Sequence, residues 1–262
     1  MRGLILAALL LAGAATQAAD TAPRRMLAAH EQAGWAGVGR LEMGDGYCTA
    51  TLFSETLALT AAHCLFGPDG RPRPTAALWF RPGDRDGRAQ AVRQVRRAAV
   101  HPDYRHSGRF ATFESISADL ALIELDAPLP TWEIPSYAPG AMPVPGGAVA
   151  LPSYGRGRDR ALSLQEPCRV LERSGPVARL DCEVAPGSSG SPVLAREDGG
   201  LRLVGVISAM GARGAYAAVA EDALPPLQAA LAAAAAPPAP VRAGGGLSGR
   251  PGGWKSVRPP SD

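Results

Sequence analysis

Between about Trp35 and Val219 the chain is a run of short strand-like pieces, none long enough to compete as a helix, separated by Gly, Pro, Asp and Arg. The first series lies at 38–41, 49–53, 57–59, 77–80, 92–95, 98–100 and 120–125. A proline-crowded stretch, 128–147, reads as a connection. A second series then follows at 148–151, 168–172, 177–182, 192–194, 203–208 and 216–219. Many short strands with turn residues between them exclude alternating β and α units and predict an all-β chain built as two halves of similar size. Only 222–236 differs in kind. There Leu224, Leu227 and Leu231 recur at helical spacing behind Pro225 and Pro226, which suit a first turn.

The two ends predict different behaviour. Arg2, an apolar run over 4–12 and small residues through Ala19 have the layout of a secretory signal, with cleavage expected near Ala18 or Ala19. That run is too short to span a bilayer, so the mature protein is expected to be secreted or periplasmic, without a membrane partner. A polar lead, 20–34, follows with no clear periodicity. At the other end 237–262 is Pro, Gly, Arg and Ser with a single tryptophan, Trp254, which predicts disorder.

The net charge is +3, with the basic residues dispersed and no aromatic interleaving, so no nucleic-acid partner is expected. Four cysteines in an exported chain point to disulfides. None of them lies in a Cys-x-x-Cys arrangement, and the histidines at 30, 63, 101 and 106 form no compact cage, so neither a metal nor a cofactor is expected.

Three strings carry chemistry. Leu59-Thr60-Ala61-Ala62-His63-Cys64 places a base active at neutral pH at the end of a hairpin. Asp119-Leu120-Ala121-Leu122-Ile123-Glu124-Leu125 places a carboxylate at a strand start. Pro186-Gly187-Ser188-Ser189-Gly190-Ser191-Pro192 places a serine between glycines. A hydroxyl nucleophile needs a base to take its proton, a group to hold the resulting imidazolium and donors for the oxyanion. Ser189 is preferred over its neighbours because Gly187 and Gly190 flank it at −2 and +1, whereas Ser191 precedes a proline. The amides of Gly187 and Ser189 would form the oxyanion hole. Asp103 and Asp126 compete weakly with Asp119, and His101, beside Pro102 and Asp103, reads as a structural loop residue.

These three blocks, in the order His, Asp, Ser, resemble the signature blocks of the chymotrypsin-like (trypsin-like) serine peptidases. The Gly-x-Ser-Gly-Ser-Pro form is similar to the bacterial branch, including glutamyl endopeptidase-like members, and Val100-His101-Pro102-Asp103-Tyr104 resembles the segment ahead of the aspartate. The resemblance runs over 35–231. It implies two six-stranded antiparallel β-barrels, the first over about 35–127 and the second over about 145–221, followed by the C-terminal helix. His63 and Asp119 would come from the first barrel and Ser189 from the second. The implied activity is serine endopeptidase cleavage of polypeptides; separately, a monomer is expected. Cys48 and Cys64 flank the hairpin that leads to His63, so their pairing would clip the base in place. Cys168 with Cys182 is the natural remainder, although other pairings stay open.

The chain also departs from the family. Where the animal enzymes carry an aspartate that binds a newly cut amino terminus, this sequence has Ser188, so removal of the leader is expected to suffice, with trimming near Arg24-Arg25 only adjusting activity. Counting back six residues from Ser189 reaches Glu183, which would favour Arg or Lys in the substrate. Ser208, Met210 and Gly214 resemble the pocket walls. Glutamate-specific members carry a histidine on that strand, where this chain has Val206 and Ile207. The alternative is a non-catalytic binding protein on the same double barrel. An esterase with a serine elbow is contradicted by the residue order.

Overall fold

The computed structural model describes residues 21–108, 110–212 and 214–234. The expected leader, 1–19, and tail, 237–262, lie outside them. The described chain enters through a two-residue strand, β1 (Arg25–Met26), and a single helical turn, α1 (Ala29–Gln32). Six strands follow: β2 (Val38–Glu42), β3 (Tyr47–Leu52), β4 (Leu57–Thr60), β5 (Trp79–Pro82), β6 (Arg93–Val100) and β7 (Ala121–Leu125). They close as an antiparallel barrel in the order β2-β3-β4-β7-β6-β5.

A second set comprises β8 (Ala148–Ser153), β9 (Ser163–Ser174), β10 (Val177–Leu180), β11 (Pro192–Glu197), β12 (Gly200–Gly211) and β13 (Gly214–Val219). These run β9-β10-β13-β12-β11-β8, and β8 returns to pair with β9, so this barrel also closes. Closure removes the edges that a pair of open sheets would expose. The fold is therefore all-β with two six-stranded antiparallel barrels and a C-terminal helix, α3 (Leu224–Ala233).

Burial explains why these pieces choose strand. In β7 Ala121, Leu122, Ile123 and Leu125 are all buried, which requires apolar residues on both faces of the strand and leaves only Glu124 partly exposed. Leu59 of β4 and Phe80 of β5 pack in the same core. Although α3 follows the second barrel in sequence, Leu224, Leu227 and Leu231 join the core of the first, and Arg97 of β6 donates to the Ala234 carbonyl at 3.2 Å. Burying one such leucine contributes about 1.5–3 kcal/mol.

Both expected disulfides form, Cys48–Cys64 and Cys168–Cys182. Each closes a short loop, worth on the order of 3 kcal/mol in the chain-entropy description.

The structure differs from the sequence reading in several elements. The pieces at 92–95 and 98–100 are one strand, β6, interrupted by a bulge between Val95 and Arg97 that breaks the alternation. A short helix, α2 (Phe113–Ser117), was not anticipated; Thr112 caps it by accepting from the Ser115 amide at 3.2 Å. The lead is not featureless either. β1 pairs with β9, Arg25 opposite Leu164 and Met26 opposite Ser163, and Arg24, Leu27 and Gln32 are buried. Its partner lies far along the chain, where local periodicity has no reach.

Candidate active site

The register of β4 against β7 sets the first half of the site. Thr60 pairs with Ala121, so the residues just past β4 and just before β7 leave the barrel at the same end. His63 lies three residues beyond Thr60 in a short 3-10 turn (Ala62–Leu65), and Asp119 lies two residues before Ala121. Asp119 is buried, and it holds His63 twice: Oδ2 lies 2.7 Å from Nδ1, and Oδ1 accepts from the His63 backbone N–H at 2.8 Å. A carboxylate on Nδ1 fixes the proton there and leaves Nε2 as the free base.

Burial lowers the His63 pKa, but the Asp119 charge and hydrogen bond outweigh it, and the net shift is upward from the ordinary 6.5.

The second half arrives from the other barrel. The loop carrying Ser189 is clamped on two sides. The Thr49 N–H of β3 donates to the Ser189 carbonyl at 2.8 Å, and the Thr49 hydroxyl donates to the Gly187 carbonyl at 2.9 Å. From β12, the Ile207 carbonyl accepts from the Gly190 N–H at 2.8 Å, and the Ile207 N–H donates to the Ser191 carbonyl at 2.9 Å. Gly187 and Gly190 adopt φ of +96° and +80°, the left-handed region that a side chain resists. Gly190 also packs directly on the Thr49 carbonyl, the Thr60 hydroxyl and the Ala61 amide, so no β-carbon fits there. That close approach seats Ser189 beside the end of β4 from which His63 projects.

Among the described residues, the Ser188 and Gly190 amides donate to backbone carbonyls, at Ala185 and Ile207, whereas the Gly187 and Ser189 amides have no partner.

A cleft of about 300 Å³ opens here, lined by His63, Asp119, Tyr104, His106, Ser208 and Met210 among others. Tyr104 and His106 build one wall: the Tyr104 hydroxyl lies 3.2 Å from His106 Nδ1, and the His106 ring stacks on Phe66 with centroids 4.8 Å apart.

Of the remaining sequence candidates, Ser208 and Met210 line this cleft, whereas Glu183 and Gly214 are not among its lining residues. Met210 stands at the rim, 64% exposed. Glu183 is exposed, with its backbone N–H held by Gln165 Oε1 at 2.7 Å. Gly214 begins β13 at φ +119°, against the Leu180 carbonyl. Ser208 lines the cleft, but its hydroxyl donates to Asp119 Oδ2 at 2.5 Å, a role that sequence reasoning missed. Thr49 and Thr60 were missed too, because a threonine in a strand looks like any other β-branched residue.

Replacing Ser208 with alanine removes one charge-assisted hydrogen bond, worth about 1.5–3 kcal/mol where it forms. With His63 as the catalytic base that the sequence reading expects, the result is a fall of about tenfold in kcat/KM, about 1.4 kcal/mol, because part of that energy reaches the transition state. The acid limb of the pH profile should move upward, since less of the Asp119 charge is then shared away from His63. Stopped assays from pH 5 to 9 check both.

Neither cysteine pair offers ligands to an ion, since all four sulfurs are in disulfides. Among the described residues no helix is long and apolar enough to cross a membrane.

Comparison with known proteins supplies further findings. A family model described as "Trypsin-like peptidase domain" matches residues 48–206. Among solved structures, that of a Glu endopeptidase in complex with MPD is similar, at a TM-score of 0.63 and 20% identity over 77% of this chain and 92% of that one. No curated protein sequence matches significantly.

Proposed function

Because this chain belongs to the trypsin-like peptidase family and is a serine endopeptidase, we propose that His63, Asp119 and Ser189 are its catalytic triad and act on polypeptides outside the cytoplasm. One observation carries the assignment: the buried Asp119 binds both the backbone and Nδ1 of His63, which leaves Nε2 free at the end of the barrel where the Ser189 loop docks.

In the proposed reaction Ser189 Oγ attacks the scissile carbonyl carbon while its proton passes to His63 Nε2. The carbonyl oxygen takes the electron pair and is met by the unpartnered amides of Gly187 and Ser189. The tetrahedral species collapses, the C–N bond breaks, and the imidazolium gives its proton to the leaving amine. Water, deprotonated by His63, then cleaves the acyl ester and restores the Ser189 hydroxyl.

The primary specificity proposed is for basic side chains, resting on Glu183 six residues before Ser189. Its exposed carboxylate lies near one cation, Arg24. This observation favours a second reading, acceptance of acidic side chains. Export is proposed from the leader and is supported by the two disulfides, which persist in oxidising compartments.

Reaction with a fluorophosphonate probe separates an enzyme from a non-catalytic double barrel. Labelling of the wild type and none of Ser189→Ala is expected; equal labelling of the two removes the triad assignment. A peptide-library profile then reads the pocket. Cleavage after Arg or Lys that weakens in Glu183→Gln supports basic specificity, and cleavage after Glu or Asp overturns it.

A further inference from the structure

Arg24 is a buried cation for which the proposed reaction has no use. It is only 7% exposed, and its Nε and one terminal nitrogen are buried with no hydrogen-bond partner among the described residues. Burying a charge without full compensation is costly in a folded protein, so a neutral side chain of similar volume at this place is expected to fold at least as stably. Burial, then the nearby Arg158, works against the Arg24 charge, and Glu183 is its main favourable neighbour. Such a group persists where function opposes stability.

Its place identifies that function. The space in front of Gly155 is occupied jointly by the Arg24 guanidinium and by Ser188 Oγ; a β-carbon on Gly155 would lie 3.0 Å from Ser188 Oγ and 3.0 Å from Arg24 Nη1. Ser188 immediately precedes the proposed nucleophile, and its hydroxyl accepts from the Ala185 N–H at 3.2 Å, folding the loop on itself. Nearby, the Arg156 N–H donates to the Pro186 carbonyl at 2.8 Å.

The lead that delivers Arg24 is fastened to the same region by independent contacts. The Ala22 N–H donates to the Pro167 carbonyl at 2.9 Å, and Gln165 Nε2 donates to the Ala22 carbonyl at 2.8 Å. Through its other side-chain atom Gln165 accepts from the Glu183 N–H, so one side chain joins the lead to the start of the Ser189 loop. The Arg24 carbonyl accepts from Arg158, and Thr21 donates to Asp181.

We propose that Arg24 is a positioning residue: its guanidinium, carried by an uncut N-terminal lead, braces the 183–190 loop from beneath and holds Ser188 and Ser189 in their active conformation. Its charge also adds positive potential behind the amides that would face the oxyanion. Trimming that removes Arg24 would then abolish activity, in contrast to the mild adjustment expected from sequence.

The inference rests on the triad reading, and the experiment keeps the two apart. Arg24→Met, Arg24→Lys and the control Arg25→Ala, whose ion pair with Glu31 faces solvent, are compared in the full chain. The measurements are fluorophosphonate labelling rate, kcat, KM, peptide-library profile and Tm. Arg24→Met is expected to fold with an equal or higher Tm and to lose at least tenfold in kcat and labelling rate. Its KM and side-chain preference should stay unchanged; Arg24→Lys should recover most of the rate, and Arg25→Ala should match the wild type.

A folded Arg24→Met labelled at the wild-type rate overturns the proposal and leaves the triad standing. A changed side-chain preference also overturns it, by moving Arg24 into the substrate pocket. Loss of the thermal transition overturns it by assigning Arg24 to folding alone. A wild type that does not label removes the triad reading and this one together.

Discussion

Replacing Asp119 with asparagine should lower kcat by a factor on the order of 10⁴ while the protein stays folded. The carboxylate accepts three hydrogen bonds, from the His63 backbone, the His63 ring and Ser208. An amide of the same shape retains the packing but turns one acceptor into a donor. The ring then favours the tautomer with its proton on Nε2, the nitrogen that takes the proton of Ser189 in the proposed triad.

The pH dependence gives a second readout with a definite sign. In the proposed triad His63 acts as a base only when neutral, so activity should fall as pH drops through its pKa. In the wild type Asp119 holds that pKa above the ordinary 6.5, so the midpoint of the acid limb of kcat/KM should lie above it. In Asp119→Asn the charge is gone and the lowering effect of burial remains, so the residual activity should persist to more acidic pH. A limb that stays in place would show that Asp119 does not face the catalytic base.

The second large effect is expected at a residue with no side chain. Gly190→Ala forces a β-carbon onto the Thr49 carbonyl and Thr60 hydroxyl at a backbone φ of +80°. Left-handed backbone alone costs an L-residue roughly 1–2 kcal/mol. Most of the clash must be relieved by moving the loop away from β3, because Thr49 and Thr60 are held in paired strands of the closed first barrel. Ser189 moves with it. A displacement of about 1 Å in a catalytic group, together with a weakened oxyanion hole, should lower kcat/KM on the order of 10²–10³-fold. Tm should fall by several degrees as the Thr49 and Ile207 hydrogen bonds loosen, roughly what a loss of 1–2 kcal/mol produces in a protein of this size. Retained activity in a folded Gly190→Ala would mean that Ser189 does not depend on this docking.

Legibility in the sequence followed the range of the interaction responsible. The strand pieces were readable because alternation and turn residues act over a few positions, and α3 was readable from three leucines at helical spacing. The bulge in β6 was not: two apolar fragments flanking Arg96 and Arg97 look like two strands until their common partner, β7, is seen. The lead failed for the same reason. Arg24 belongs to a polar segment whose burial depends on β9 and on Gly155, neither of them near in sequence. Ser208 was recognised as a cleft residue by resemblance, but its bond to Asp119 crosses from one barrel to the other.

By itself, the sequence determined that this chain forms short strands in two sets and which residue types bear the chemistry, together with their order. Those properties reside in local patterning and in the residues themselves. Tertiary structure alone decided the pairings between remote segments: Thr60 beside Ala121, which brings His63 to Asp119; Gly190 against Thr49 and Thr60; α3 returned to the first barrel; and the Arg24 guanidinium brought, with Ser188, to the space in front of Gly155. These depend on barrel closure or on the close approach of segments distant in the chain, and no local periodicity encodes either.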